Sequence, residues 1–302
     1  MNVKPLAFNS LGTRSMATYV ETDDAKILID PGVSLAPFRY GLPPHALEWQ
    51  RMDESWKLIK DYTREAEILI VTHYHYDHHN PSEPEIYRDK VTLIKHPADK
   101  INYSQQERAA YFLNMLGKCP KRLEYADGKK FEFGKTKIKF SPPVCHGTNP
   151  RLGYVVEVSI SCSGEKVVHS SDVEGPSLDD QVRFLLDEKP EIAIVDGPMS
   201  YMLGFRYSFK SLQVSIQNLV QTISETSIQA LMLDHHFMRD LRYESRIKPV
   251  YEKAKDRGVK VLTAAGFLGR RIEMLEACRK ELYERCGEES LLKVAGKSLT
   301  EE

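Results

Sequence analysis

One pattern constrains the fold of this sequence more than any other: a short apolar run ends, and an aspartate or a histidine follows at once. The pattern is found at Asp30, His73, Asp172 and His235. A continuous apolar run of this length is typical of a strand that is covered on both faces. In layered α/β folds, ligands lie beyond the carboxyl ends of such strands. We therefore expect these four side chains to converge on one cleft.

The densest polar cluster follows the apolar run at residues 66–71. Imidazole and carboxylate groups are good ligands for divalent transition metals. A tight loop after a strand can point His73, His75, Asp77 and His78 into a small volume. Four ligands from one loop exceed what one catalytic ion needs, because such an ion keeps positions open for water and substrate. Two divalent ions roughly 3.5–4 Å apart fit this cluster better.

At these residues the chain resembles the metallo-β-lactamase superfamily, which carries H-x-H-x-D-H after a strand; residues 73–78 read HYHYDH. The superfamily also has an upstream Asp at a strand end, a third His, a bridging Asp and a last His. These are matched in order by ILIDPG with Asp30, PVCHG with His146, VVHSSD with Asp172 and LMLDH with His235. The resemblance covers about residues 7–266, and five motifs in order are far more specific than one.

The resemblance divides the metal ligands between two ions, which Asp172 would bridge. The implied sets are His73, His75 and His146 for the first ion, and Asp77, His78 and His235 for the second. Asp30 would orient groups of the ligand loop through hydrogen bonds. Imidazole-rich sites favour zinc, with iron and manganese as alternatives.

The chemistry implied by two ions is hydrolysis. A water molecule that bridges two divalent cations loses a proton near neutral pH, and the resulting hydroxide is the nucleophile. Asp77 would accept or relay that proton. The Asp77–His78 pair favours hydrolysis over the diiron redox branch, which typically has a glutamate in place of the second His.

Two positions depart from the pattern of the superfamily. Residues 79–81 read HNP where two glycines often stand, and Ser171 replaces the glycine usual before the bridging Asp. Neither change removes a ligand, so both bear on the subfamily and on the substrate. The whole chain, and residues 264–271 (AAGFLGRR) in particular, resembles a mainly archaeal branch of predicted metal-dependent hydrolases.

Several side chains near the motifs have two interpretations. His235 and His236 compete for the last ligand position; strand register favours His235, and the other could contact substrate. His79 either lies close to the substrate or behind the metal ligands, or it is part of an exposed loop. Arginines next to the motifs could clamp a phosphate or carboxylate, or be ordinary surface groups. The candidate substrate-binding residues are His79, His236, Arg206, Tyr207 and Arg239.

Charge and cysteine content limit the classes of partner. The 302 residues include 42 Lys and Arg against 43 Asp and Glu, which argues against binding to nucleic acid by bulk charge. Five scattered cysteines, none in a C-x-x-C pair, suggest a reducing compartment. No apolar run approaches a membrane span or a signal peptide. We therefore expect a cytoplasmic protein that does not enter a membrane.

The predicted architecture is α/β, a four-layer αββα sandwich of the metallo-β-lactamase kind, with two mixed sheets face to face and helices outside. A single domain is expected over residues 1–302, with insertions near the cleft at 33–65 and 97–120 and a C-terminal helix and tail at 270–302, in which the helix covers residues 270–285. The insertion that holds Trp49 and Trp56 is either a lid or partner surface, or a loop packed on the core.

Three functions are compatible with this sequence. The preferred one is hydrolysis of a phosphodiester, in nucleic acid or a nucleotide, because a two-metal set lies near arginines. The second keeps the site but cleaves an acyl bond, as in a lactone, thioester or amide. The third is a metal-stabilised binding protein without catalysis. The oligomeric state is left open.

Overall fold

The computed structural model describes residues 1–286, which form two large β-sheets, a separate strand pair and flanking helices. The first sheet has its six strands in chain order: β1 (Asn2–Ala7), β2 (Ala17–Glu21), β3 (Lys26–Ile29), β4 (Ile68–Val71), β5 (Val91–Ile94) and β6 (Arg122–Tyr125). Its first three strands are antiparallel, and β3 to β6 are parallel. The carboxyl ends of β3, β4 and β5 therefore meet at one edge.

The second sheet contains seven strands. The strands that follow β6 along the chain are β7 (Lys130–Phe133), β8 (Thr136–Phe140), β9 (Val144–Cys145), β10 (Tyr154–Val155), β11 (Val158–Cys162), β12 (Glu165–His169), β13 (Ile192–Val195), β14 (Ala230–Leu233) and β15 (Lys260–Leu262). The sheet order is β15-β14-β13-β12-β11-β8-β7, and β9 pairs separately with β10. Strands β12 to β15 are parallel, so this sheet too has a shared carboxyl edge.

Eight α-helices are described within residues 1–286. They are α1 (Ala46–Glu65), α2 (Tyr103–Leu116), α3 (Asp179–Glu188), α4 (Phe209–Glu225), α5 (Tyr243–Arg246), α6 (Lys248–Arg257), α7 (Ala264–Phe267) and α8 (Arg279–Cys286). Short 3-10 helices lie at Pro84–Tyr87, Pro150–Leu152, Ser200–Met202 and Phe237–Arg239. Within residues 1–286, none of the helices combines the length and apolar character needed to cross a bilayer.

Alternating strand residues divide the apolar core into layers. Ile70 points between the sheets, where it belongs to the same cluster as Ile194 of the opposite sheet. Leu69 points the other way and packs in a cluster with Phe112 of α2. On the outer face of the second sheet, Leu231 packs with residues of α3, α4 and α6. The order helix, sheet, sheet, helix confirms the predicted αββα sandwich.

The C-terminal segment is less helical than expected from the sequence. The predicted helix at 270–285 begins only at Arg279, and residues 270–278 are turns and extended backbone. Glu273 explains the difference, because its N–H donates to the Ser10 carbonyl at 2.8 Å and it bridges to Leu11. Because the Glu273 N–H is used in this tertiary pairing, it is not available for a hydrogen bond within a helix. Residues 287–302, which include the predicted tail, lie outside the described residues.

Residues 33–65, where the sequence predicted an insertion, form a loop followed by α1, on which both Trp49 and Trp56 lie. Arg279 of α8 contacts both the loop and α1. It is fully buried, bonds both carboxylate oxygens of Glu48 at 2.8 Å, and donates to the carbonyls of Ala36 and Leu42 at 3.0 Å. The loop is thus fixed to the core.

Glu157, just before β11, is a buried carboxyl group that makes stability depend on pH. It is fully buried, and within the described residues neither of its carboxylate oxygens has a hydrogen-bond partner. Burial, with smaller contributions from Asp180 and Asp196, raises its pKa well above 4.5. The folded state therefore holds this proton more tightly than the unfolded state does. The free energy of unfolding should fall as pH rises from about 4.5 through the folded-state pKa.

The replacement Glu157→Met removes the buried acid while keeping a similar volume. We expect it to raise the free energy of unfolding at pH 8 by about 1–3 kcal/mol, the usual penalty for a buried unpaired polar group, and to flatten the pH dependence. Urea unfolding at pH 5 and pH 8 measures both effects. Glu132→Met, at a side chain that is 67% exposed, is the matched control and should leave the dependence unchanged. A Glu157→Met variant with the wild-type pH profile would contradict this account.

Candidate metal centre

The strand-end residues meet at the common carboxyl edge of the two sheets. Asp30 follows β3, His73 comes two residues after β4, Asp172 comes three residues after β12, and His235 comes two residues after β14. His146 reaches the same place from the loop after β9. The convergence expected from the sequence is therefore what the structure shows.

The first group of side chains at this edge consists of His73, His75, His146 and Asp172, whose candidate ligand atoms all lie within 4.8 Å of one another. His146 Nε2 lies 3.1 Å from His75 Nδ1 and 3.4 Å from Asp172 Oδ2. His73 Nε2 lies 3.9 Å from the same carboxylate oxygen. The Nε2 atoms of His73 and His146 thus face Oδ2 of Asp172.

The second group consists of Asp77, His78, His235 and again Asp172. The Nε2 atoms of His78 and His235 each lie 3.3 Å from Asp172 Oδ1. His235 Nε2 is also 3.5 Å from Asp77 Oδ2. The two oxygens of Asp172 therefore face two different groups of ligands, an arrangement that suits a carboxylate shared by two ions.

The chemistry of these atoms fits a metal centre. Nε2 of His73, Nε2 of His78 and Oδ1 of Asp172 are buried and have no hydrogen-bond partner in the described part of the chain. Buried polar groups without partners are costly, and a cation in each of the two groups would satisfy these three atoms. Orphaned atoms of this kind are expected where the missing partner is an ion.

The pKa shifts at the site follow from burial and from mutual charge. Burial, then His78 and His75, lower the pKa of His73 well below 6.5, which leaves the neutral imidazole that binds metals.

Burial would raise the pKa of Asp172, but His235 and His78 outweigh it and hold the value well below 3.8. The pKa of His78 moves the other way: burial would lower it, but Asp172 and Asp30 raise it well above 6.5. Positive charge is thus stabilised between the two carboxylates.

Asp30 holds the ligand loop in place. Its Oδ1 accepts from the Thr72 N–H at 2.8 Å, and its Oδ2 accepts from the Thr72 hydroxyl at 2.7 Å. His78 Nδ1 donates to the same Oδ2 at 2.7 Å. When an ion replaces the proton on Nε2, the proton on Nδ1 would stay with Asp30, and the lone pair of Nε2 would be free to act as a ligand.

Ser171 stands where the resemblance predicts a glycine, and both its backbone and its side chain bear on the site. Its backbone is left-handed, with φ of 58°, a region that glycine adopts most readily. Its hydroxyl lies 2.6 Å from the Thr72 hydroxyl and 3.3 Å from His73 Nδ1. The serine side chain thus helps to orient His73.

Two of the residues predicted to contact substrate are enclosed by protein. His79 is fully buried, its Nδ1 donates to the His75 carbonyl at 3.0 Å, and its ring packs edge-on against Phe112. Tyr207 is also buried, with its hydroxyl 2.7 Å from that of Ser177. The exposed-loop alternative for His79 is therefore wrong, and contact of either side chain with substrate stays a prediction.

His236 lies at the edge of the site. Its Nδ1 donates to Asp196 Oδ2 at 2.8 Å, and its Nε2 is 4.0 Å from Asp172 Oδ2. Asp172, Asp196 and His236 form a third set with metal-binding geometry. Asp196 was not among the predicted site residues, although it too directly follows an apolar strand, β13.

Arg239 is 4% exposed and lies against the second ligand group. Its Nη2 donates to His235 Nε2 at 2.9 Å and is 4.0 Å from Asp77 Oδ2. An ion bound by His235 Nε2 would replace this hydrogen bond and leave Nη2 free to donate elsewhere. Arg206 is exposed, and its charge acts on Glu174, whose Oε1 is 3.9 Å from His146.

Comparison with known proteins agrees with this description. No family model matches the chain. The isothiocyanate hydrolase from Delia radicum gut bacteria aligns with a TM-score of 0.52 at 14% sequence identity, over 83% of this chain and 94% of that one. Unliganded yeast PDE1 aligns with a TM-score of 0.51 at 13% identity, over 86% and 96% of the two chains. Both likenesses are likenesses of fold alone.

Sequence relatives are much closer. The chain is 52% identical over 285 residues to a UPF0282 protein of Korarchaeum cryptofilum, covering 94% of this chain and 95% of the relative. It is 49% identical over 287 residues to a UPF0282 protein of Metallosphaera sedula, covering 94% and 93%. The chain belongs to the UPF0282 family.

Proposed function

We propose that this chain is a hydrolase that depends on two divalent metal ions, with zinc preferred to iron or manganese, and that it cleaves a phosphodiester. The observation that carries the proposal is the position of Asp172. Its two carboxylate oxygens face separate sets of histidines, and Oδ1 and the Nε2 atoms of His73 and His78 are buried without hydrogen-bond partners among residues 1–286. When bound, the two ions would activate water and polarise the bond that is cleaved.

The proposed roles of the remaining residues follow from their contacts. Asp30 accepts from His78 Nδ1, so that Nε2 stays available as a ligand. Asp77 is proposed to accept a proton from the attacking water, in addition to being a ligand. Its side chain is 15% exposed against 2% for Asp172, so it is the carboxylate that reaches the open side of the site. His235 is proposed as the last ligand, since its Nε2 faces both carboxylates.

Positive charge beside the ligands supports an anionic substrate. Arg239 is nearly buried 4.0 Å from Asp77, and guanidinium groups bind phosphate oxygens well. We therefore favour a phosphodiester, in a small molecule or at an accessible position in nucleic acid, over a neutral lactone or thioester. A cytoplasmic location remains part of the proposal, supported by the free cysteines Cys119, Cys145, Cys162 and Cys278.

A substrate panel tests this function. The zinc-loaded protein is expected to hydrolyse bis-p-nitrophenyl phosphate, to lose the activity when the metal is chelated, and to regain it when zinc is restored. Activity on p-nitrophenyl acetate, a lactone and a thioester is measured in parallel. Hydrolysis of the acyl substrates alone would replace the phosphodiester proposal by the acyl one. If no substrate turns over with any of the three metals while the protein stays folded, the proposal of a hydrolase fails.

A further inference from the structure

Three arginines from distant parts of the chain lie together beside the candidate metal centre. Arg14 lies between β1 and β2, Arg39 lies in the loop before α1, and Arg239 follows β14. Tyr201 lies beside two of them: the guanidinium of Arg39 is 4.8 Å from the centre of the Tyr201 ring, and that of Arg239 is 5.9 Å from it. We call Arg14, Arg39 and Arg239 the arginine cluster.

A single residue of the C-terminal segment, Glu276, supplies a carboxylate to this cluster. Arg14 donates two hydrogen bonds to this carboxylate, from Nε and from Nη2, each 2.7 Å from one of its oxygens. Burial would raise the pKa of Glu276, but Arg14, Arg239 and Arg39 outweigh burial and lower the value to about 2. Glu276 is therefore a permanent anion, and Arg14 is its principal partner.

The other two arginines keep unused donors. The Nε atoms of Arg39 and Arg239 are buried and without a hydrogen-bond partner among the described residues; Arg239 Nε is 4.0 Å from Glu276, too far for a hydrogen bond. A buried donor without an acceptor destabilises the fold. Two such donors on neighbouring guanidinium groups indicate that an acceptor binds here.

The charges indicate what kind of acceptor it is. Three guanidinium groups and one carboxylate leave two positive charges in the cluster. The carboxylates of the metal centre, of which Asp77 lies 4.0 Å from Arg239, are matched by the proposed ions. A phosphate dianion carries two negative charges and several acceptor oxygens, which suits two guanidinium forks.

We propose that the arginine cluster binds a second phosphate group of the substrate, next to the phosphodiester held at the metal centre. The inference rests on the proposed function, since it assigns the substrate class of that same site. Arg39 and Arg239 would bind the phosphate, and Arg14, held by Glu276, would add positive charge. Such an enzyme prefers a substrate that bears a terminal phosphate to one that has a single phosphodiester.

Binding is measured first, by calorimetry on the full chain as purified. Thymidine 3′,5′-bisphosphate is compared with thymidine 5′-phosphate, so that the ratio of the two dissociation constants isolates the second phosphate. We expect the bisphosphate to bind at least about tenfold more tightly. The difference in affinity between the bisphosphate and the monophosphate should disappear in Arg39→Gln and be partly restored in Arg39→Lys. Arg242→Gln, which removes the same charge from an exposed position outside the cluster, should keep it.

Turnover then separates this inference from the proposed function. The p-nitrophenyl ester of thymidine 5′-phosphate is compared with its 3′-phosphorylated form, for which we expect about tenfold higher kcat/KM, mainly through KM. A bisphosphate advantage without hydrolysis of either ester would overturn the proposed function and leave the phosphate site standing. Equal affinities for the two nucleotides, or an advantage that Arg39→Gln does not change, would overturn the phosphate site, whether or not the esters are cleaved.

Discussion

Replacing Asp172 by asparagine is expected to reduce kcat/KM for metal-dependent hydrolysis by about 100- to 1,000-fold, while the chain keeps its fold. The physical reason is that Asp172 uses both oxygens: Oδ1 faces His78 and His235, and Oδ2 faces His73 and His146. An asparagine of the same shape offers one acceptor, and its amide N–H groups repel a cation. Steady-state kinetics with bis-p-nitrophenyl phosphate measures the effect, and circular dichroism checks the fold.

Asp187→Asn is the matched control for this change, because Asp187 is an exposed aspartate of α3. It should keep the wild-type kcat/KM within about twofold. An Asp172→Asn variant that retained more than about a tenth of the wild-type activity would show that the two groups do not share this carboxylate.

Replacing Gly32 by alanine is expected to lower the free energy of unfolding by about 2–4 kcal/mol and to weaken metal binding. A Cβ atom at this position would lie 2.2 Å from the backbone nitrogen of His79 and 2.5 Å from the carbonyl carbon of His78. Backbone atoms cannot rotate away as a flexible side chain can. The ligand loop would have to shift, and His78 would shift with it. Urea unfolding and zinc titration measure the two effects.

Gly266→Ala provides the comparison. The nearest atom to its added Cβ, outside its immediate chain neighbours and the backbone of its own helix, would be Thr263 Oγ1 at 3.4 Å, an ordinary contact, and alanine is a better helix former than glycine. We expect the stability of this variant to stay within about 1 kcal/mol of wild type. If Gly32→Ala were as stable as Gly266→Ala, the close approach of Gly32 to the backbone of His78 and His79 would not be what positions the ligand loop.

Much of the metal centre could be predicted from the sequence because its geometry is local. His73, His75, Asp77 and His78 share one loop, and strands that run parallel bring their carboxyl ends to one edge of a sheet. A residue that directly follows a buried strand is therefore placed by the fold itself. The same rule, applied once more after β13, would have found Asp196.

The arginine cluster could not be predicted in the same way. Arg14 and Glu276 are 262 positions apart in the sequence and meet only in the folded chain. The helical pattern over residues 270–285 was misleading for the same reason, because the pairing of Glu273 with the loop after β1 replaces helical hydrogen bonds. Glu276 faces Arg14 and Arg239 because residues 270–278 are not a helix.

The measurement that tests the account most directly is the number of metal ions per chain. Wild type and Asp172→Asn are purified without chelator, supplied with zinc, freed of unbound metal and analysed by inductively coupled plasma mass spectrometry. Asp172 is proposed to complete both sites, so we predict two ions in wild type and fewer than one in the variant. One ion or none in folded wild type, or two in both proteins, would contradict a centre that is bridged by Asp172.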